Sequence, residues 1–380
     1  MTTTDPIYLD HNATTPVLPE VVEAILPYLR EHFGNPSSAH VYGVRARNAV
    51  SRAREQVAAL LGCDSDEVFF TSGGTEANNL AIRGVTEADE RRSCVVTTTI
   101  EHPGTARPCT WLEKHGRSVV RVGVDREGRA LVDEARDAID SDTALVTVMH
   151  SNNETGVLQP VAELAKLAHA VGALVHTDAA QSVGKVPVRV RELDVDLLSV
   201  AGHKFYGPKG IGALYVKRGT PLVPFALGAG HERGMRPGTE NVPSAVGLGV
   251  ACEIAVRDLE VVATRLKTLR DLLWDRLARG VPGLALNGHR ERRLPNTLNV
   301  RFPRASGIAV LEGAPEVAGS TGAACHDGLE TASAVILAMG VSPEDALGSV
   351  RLTLGRGTTE GDVARAAEAL VRSWKRLAGG

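Results

Sequence analysis

Apolar residues recur at helical spacing over 17–33, where Val22, Ile25, Leu26 and Leu29 follow Pro16 and Pro19, and Gly34 supplies a stop. The same period returns over 44–61 with Val50, Val57, Leu60 and Leu61. Short, nearly unbroken apolar runs follow at Val68–Thr71, Cys94–Thr99, Ser118–Val122, Ala144–Met149, Ala173–His176 and Asp196–Val200. Helical stretches such as Val161–Val171 separate most of them. Runs without polar alternation predict strands buried on both faces. Strands alternating with helices predict an α/β fold with a largely parallel sheet between helical layers.

The texture changes after about residue 250. A long helical stretch, Ala251–Arg279, precedes a short element at Thr297–Phe302 and a Gly/Ala-rich loop at 319–328. A helix near 329–339, a strand at Val350–Leu354 and a final helix at Glu360–Leu377 complete the chain. This predicts a second, smaller α+β domain. The expected division is a large domain over 14–255, with 1–13 and 256–380 forming the small one. A length of 380 residues fits two to three domains.

Composition narrows the function classes. The net charge of −3 excludes a globally basic nucleic-acid binder but not a local basic patch; with no nucleic-acid motif in the sequence, no direct nucleic-acid contact is expected. No stretch of about 18 apolar residues predicts a membrane span, and the first residues lack a secretory pattern. The five cysteines, Cys63, Cys94, Cys109, Cys252 and Cys325, are odd in number and form no CxxC pair. A disulfide framework or a zinc site is therefore not expected, and a reducing cytoplasm is the natural home.

Three segments carry chemistry. Phe69-Phe70-Thr71-Ser72-Gly73-Gly74-Thr75 runs from a strand through a small-residue turn into a helix. Backbone N–H groups there suit a phosphate, although an ordinary turn with Thr75 as cap reads the same way. No Lys follows the glycines, so this is not a Walker loop. His176-Thr177-Asp178 places an acid at the carboxyl end of a strand, where open α/β sheets bind ligands; a helix cap is its commoner role. Gly202-His203-Lys204 ends another strand, and a lysine there is either a solvated charge or an amine with a lowered pKa that forms a Schiff base. Phosphate cradle, acid and lysine together are what pyridoxal 5′-phosphate requires, the acid pairing with the pyridinium nitrogen.

The resemblance becomes specific along nearly the whole chain. Tyr8–Thr15, Asn35–Ser38, Thr71–Asn79, Glu101-His102, Asn152–Gly156, Asp178–Lys185, Gly202–Gly210, Arg236–Thr239 and Arg351–Arg356 match, in order, the motifs of cysteine desulfurases. These are pyridoxal-phosphate enzymes of the class V aminotransferase group. The resemblance implies fold type I, with a mixed, mostly parallel seven-stranded sheet in the large domain. It gives Lys204 as the lysine that carries the cofactor, Asp178 as the partner of the pyridinium nitrogen and Gln181 as donor to the phenolic oxygen. Gly74, Thr75 and His203 match phosphate contacts. Thr239 matches a phosphate contact supplied by the neighbouring subunit, which implies a homodimer. His102 matches the imidazole stacked on the ring, and Asn153, Arg351 and Asn35 match groups that hold the substrate. Arg351 is placed on the α-carboxylate, which a guanidinium fork binds in a bidentate way.

Cys325 matches the nucleophile, and its setting among glycines, alanines and polar residues suits an exposed thiol. The implied reaction converts L-cysteine to L-alanine and leaves the sulfur on Cys325 as a persulfide for an acceptor protein. A selenocysteine lyase, or another β-lyase of the same fold, is the alternative. No resident metal is implied, although the family context admits transient iron–sulfur ligation by Cys325. The spacing from Thr239 to Cys325 is similar to that of the long-loop subgroup, which includes iron–sulfur-cluster and DNA-phosphorothioation desulfurases; tRNA thiolation is a further destination for the sulfur. One departure concerns the cofactor site. The family's serine two residues before the His of its Ser-x-His-Lys run is Ala201 here, so a looser phosphate grip is expected.

Overall fold

The computed structural model describes residues 5–89, 91–321 and 331–379. Its central sheet runs in the order Val68–Thr71, Gly212–Val216, Leu197–Ala201, Leu174–Asp178, Thr143–Thr147, Cys94–Thr98, Ser118–Val122. The last five strands are mutually parallel, and Gly212–Val216 is antiparallel to both of its neighbours. The sheet is thus mixed and mostly parallel. Six of these strands coincide with the apolar runs read from the sequence. Gly212–Val216 does not: it follows a Gly/Pro-rich turn that hides its start, yet all five of its residues are buried.

Helices cover both faces. Val41–Leu61 packs against the first part of a 39-residue helix, Val242–Gly280. That helix begins well before the expected Ala251, because Asn241 caps it by accepting from Ser244 N at 3.2 Å and Pro243 occupies its first turn. Gly247 and Gly249 masked the start of the helix, since glycine disfavours helix. Their absent side chains serve packing: a Cβ at Gly249 would lie 2.8 Å from Ala53 Cα.

The long helix links two apolar cores. Ala245, Leu248, Ala251 and Cys252 pack into the core under the central sheet. Leu266, Leu269, Leu273 and Leu277 pack into another, with Leu9, Val300, Phe302, Leu352 and Trp374. The second core backs a three-stranded antiparallel sheet, Ser349–Thr353, Thr297–Arg301 and Ala285–Leu286. The N-terminal strand Ile7–Tyr8 pairs in parallel with Val317–Ala318. Residues just beyond it cross to the central sheet, carrying Asn12 and Ala13 to its carboxyl edge. The helix expected near 329–339 is helical over Ala334–Ala338, where Ser333 Oγ caps it.

Candidate active site

The carboxyl ends of the central strands converge on one cavity of about 380 Å³. Such ends are where the crossover helices begin, so backbone donors and short loops collect there. The strand Val68–Thr71 delivers Gly74 and Thr75 through Gly73, whose φ of 151° favours glycine. A Cβ on Gly74 would stand 3.3 Å from Ala201 Cβ, a tight contact. Cys94–Thr98 delivers His102, which caps the helix Pro103–Lys114 by accepting from Gly104 N at Nδ1, 3.0 Å away. Burial, then Lys204, lowers the His102 pKa against the pull of Asp178, so the ring is neutral at neutral pH. With Nδ1 accepting, the proton sits on Nε2.

Asp178 ends the next strand but one, Leu174–Asp178. Its Oδ2 accepts from Asn78 Nδ2 at 2.7 Å and its Oδ1 from Ala180 N at 2.9 Å. Gln181 follows on the same loop. Leu197–Ala201 delivers Ala201, His203 and Lys204. The Lys204 Nζ donates to the carbonyls of Asn12 at 2.7 Å and Ala13 at 2.9 Å. Burial, reinforced by Arg351 and opposed by Asp178 and Asp10, brings its pKa down to about 8. Burial, Lys204, Lys209 and Lys185 hold the His203 pKa at about 4, so this ring is neutral too.

The opposite wall comes from the small sheet. Arg351, on Ser349–Thr353, donates through Nη2 to Asp10 Oδ1 at 2.7 Å and through Nη1 to Asn153 O at 3.1 Å. Its Nε is buried without a partner among the described residues. The backbone of Arg351 also pairs in both directions with Ser320, just before the segment that carries Cys325. Ser333, just after that segment, donates to the buried Glu154, next to Asn153. Cys325 itself lies outside the described residues.

Gly74, Thr75, His102, Asn153, Asp178, Gln181, Ala201, His203, Lys204 and Arg351 therefore share one cavity. Asn35 and Thr239 do not line it; both are exposed. Ser199 cannot stand in for the missing serine at 201, because its Oγ is buried against His176 Nε2 at 2.9 Å. Asn12, Asn78 and Lys185 were not singled out from the sequence, although all three lie inside or beside the matched motifs. The four described cysteines are unpaired, line no part of the cavity, and burial raises the pKa of each.

The residues fit pyridoxal 5′-phosphate. A buried amine with a lowered pKa, a carboxylate fixed by two donors and a glycine cradle face one space of the right size. Residues 7–366 match the family model described as aminotransferase class-V. The chain belongs to that family. Among class-V relatives, the cysteine desulfurase IscS of Dictyoglomus turgidum is 44% identical, over 98% of this chain and 95% of its own. A solved structure of a NifS-like protein superposes with a TM-score of 0.91 at 36% identity, covering 97% of this chain and 98% of that one. The structure of SspA in complex with cysteine superposes with a TM-score of 0.80 at 34% identity, over 91% and 98% of the two chains.

Proposed function

We infer that the chain is a cysteine desulfurase that uses pyridoxal 5′-phosphate, taking L-cysteine to L-alanine and passing the sulfur on as a persulfide. The observation that carries the reading is the convergence of Lys204, Asp178 and His102 from three strand ends on a cavity whose far wall is Arg351. The desulfurase names of close relatives and the cysteine held by SspA support it. When bound, the cofactor supplies an electron sink for the carbanion left as a proton leaves the substrate's Cα.

Each side chain has a task its surroundings make natural. Lys204, with a pKa of about 8, presents a substantial neutral fraction near pH 7–8, so it can bond a carbonyl carbon and then accept or return the Cα proton. Asp178, its oxygens fixed by two donors, is the partner for the pyridinium nitrogen. His102 would lie against the ring and offer the proton on Nε2. Gln181 donates to the phenolic oxygen. Gly74, Thr75 and His203 take the phosphate, with Ala201 leaving one donor fewer. Arg351 takes the substrate carboxylate, with Asn153 beside it, and Asn35 is placed with them on family resemblance.

The Cys325 thiolate attacks the substrate sulfur. The S–S bond forms, the Cβ–S bond breaks with its electron pair left on the carbon, and a proton completes alanine. The anchoring of Ser320 on Arg351 and of Ser333 on Glu154 supports this assignment, since both ends of the Cys325 segment start from the substrate wall. The raised pKa of the other four thiols also suits Cys325 as the reactive one, and their unpaired state suits a reducing compartment.

A homodimer with Thr239 shared across the interface follows the family. It is supported by Thr239 and Asn35 being exposed, and by an uncovered apolar group close to Asn35 in sequence. Leu29, Phe33, Val41 and Tyr42 are 62%, 72%, 64% and 50% exposed. The test is a paired assay of alanine and sulfide release from L-cysteine, for wild type and Cys325→Ser. The expected result is alanine formation that depends on Cys325. A loaded protein indifferent to the substitution would favour a selenocysteine lyase or another β-lyase.

A further inference from the structure

A second lysine sits behind the first. Lys185 is 8% exposed and hydrogen-bonds to no carboxylate among the described residues. Its Nζ donates to Gln181 Oε1 at 2.8 Å and to Asn12 Oδ1 at 3.0 Å, two neutral amide oxygens. Both amides are then held in one sense. Asn12 Oδ1 also accepts from Asn296 Nδ2, while its Nδ2 donates to Thr297 Oγ1 at 2.9 Å and to Asn153 O. Gln181 donates one Nε2 hydrogen to Asn12 O at 2.9 Å, the same carbonyl that receives Lys204. Its other N–H has no partner among the described residues, and Gln181 lines the cavity.

An amide has two nearly isosteric ends, and only its partners decide which end points where. The Lys185 amine donates to Gln181 Oε1 and Asn12 Oδ1, so it holds the Gln181 oxygen at the back and turns the NH₂ forward. The placement is rigid. Gly184 lies between the two residues with a φ of 75°, and a Cβ there would meet Phe205 Cβ at 2.7 Å. Phe205 directly follows Lys204. The turn that carries Gln181 and Lys185 is thus wedged against the strand end that carries Lys204.

We propose that Lys185 is a positioning residue: by donating to Gln181 Oε1 and Asn12 Oδ1 it keeps the Gln181 N–H directed into the cavity, where it meets the phenolic oxygen of the cofactor. This rests on the pyridoxal-phosphate reading of the site. Burial, Lys204 and Arg351 also push the Lys185 amine well below its usual range. Removing Lys185 strands Gln181 Oε1 without a donor and frees the amide to flip, which would turn an oxygen toward an oxyanion.

The test is a pH titration of the visible band in cofactor-loaded wild type, Lys185→Met, Gln181→Ala and the double variant. A donor to the phenolic oxygen stabilises its negative charge most after the neighbouring proton has left, so losing it raises the titration midpoint. Asp178, His102, His203, Arg351, Lys204 and Asp10 also face this space and are common to all four proteins. Lys185→Met is expected to raise the midpoint by about one unit, a tenfold change in the proton equilibrium. In the Gln181→Ala background it is expected to add nothing further.

An unchanged midpoint in Lys185→Met, or a full additive shift in the double variant, would overturn the proposal. A wild type that acquires no visible band with pyridoxal 5′-phosphate would instead defeat the cofactor reading beneath it. Should Lys185→Met not fold, a crystal structure of the loaded wild type decides. Lys185 within hydrogen-bond reach of Gln181 Oε1, with Nε2 on the phenolic oxygen, supports the role; Lys185 turned away from Gln181 contradicts it.

Discussion

The two walls of the cavity are built on different physics. The wall from the central sheet is fixed by backbone and buried amides: Asp178 by Asn78 and Ala180 N, His102 by Gly104 N, and Lys204 by two carbonyls. The wall from the small sheet is closed by an ion pair, Arg351 with Asp10, which is 22% exposed through its side chain on the Asp10 side. A cofactor meets groups already in place. With Arg351 as the proposed carboxylate site, a substrate carboxylate would exchange with that of Asp10. Cofactor affinity should therefore follow rigid contacts, and substrate affinity should follow a competition.

The sharpest way to break this contrast is at the cofactor wall. Asp178→Asn removes the charge while keeping a side chain that Asn78 and Ala180 can hold. kcat is expected to fall by about 10²–10³-fold, as for loss of one preorganised electrostatic group, with the fold intact by circular dichroism. A milder change sharpens the same wall. Ala201→Ser restores a hydroxyl near the phosphate cradle and is expected to slow cofactor loss on dialysis by about tenfold, leaving KM for cysteine unchanged. Equal retention by both proteins would show that the missing hydroxyl costs nothing.

The smallest expected effect lies on the other wall. Asp10→Asn removes the competitor, so KM for cysteine should fall by about threefold, the modest scale of a partly exposed pair. The visible band should not change. A rise in KM would mean that Asp10 aims Arg351 rather than competing for it.

The difference between the walls also explains what the sequence disclosed. Gly74, His102, Asp178 and Lys204 each follow a short apolar run, so their place at strand ends was legible from local pattern and motif. Arg351 was legible as a residue, but its engagement with Asp10 joins positions 341 apart in the chain, and no local pattern announces that. Lys185 was hidden differently. Its four-residue spacing from Gln181 is ordinary, and only the placement of Asn12 from the N-terminal segment turns the pair into a network. Gly212–Val216 escaped notice because its strand begins directly out of a glycine-rich turn. The long helix was read late because its first turns are rich in glycine, chosen for contact with Ala53 rather than for helix propensity.

Two lysines donate to Asn12, Lys204 to its backbone carbonyl and Lys185 to its side-chain oxygen, and only Lys204 is proposed to carry the cofactor. Borohydride reduction of the protein loaded with pyridoxal 5′-phosphate, followed by digestion and peptide mass analysis, tests that assignment most directly. The expected result is a single phosphopyridoxyl label on Lys204. A label on Lys185, or on no lysine of this cavity, would contradict it.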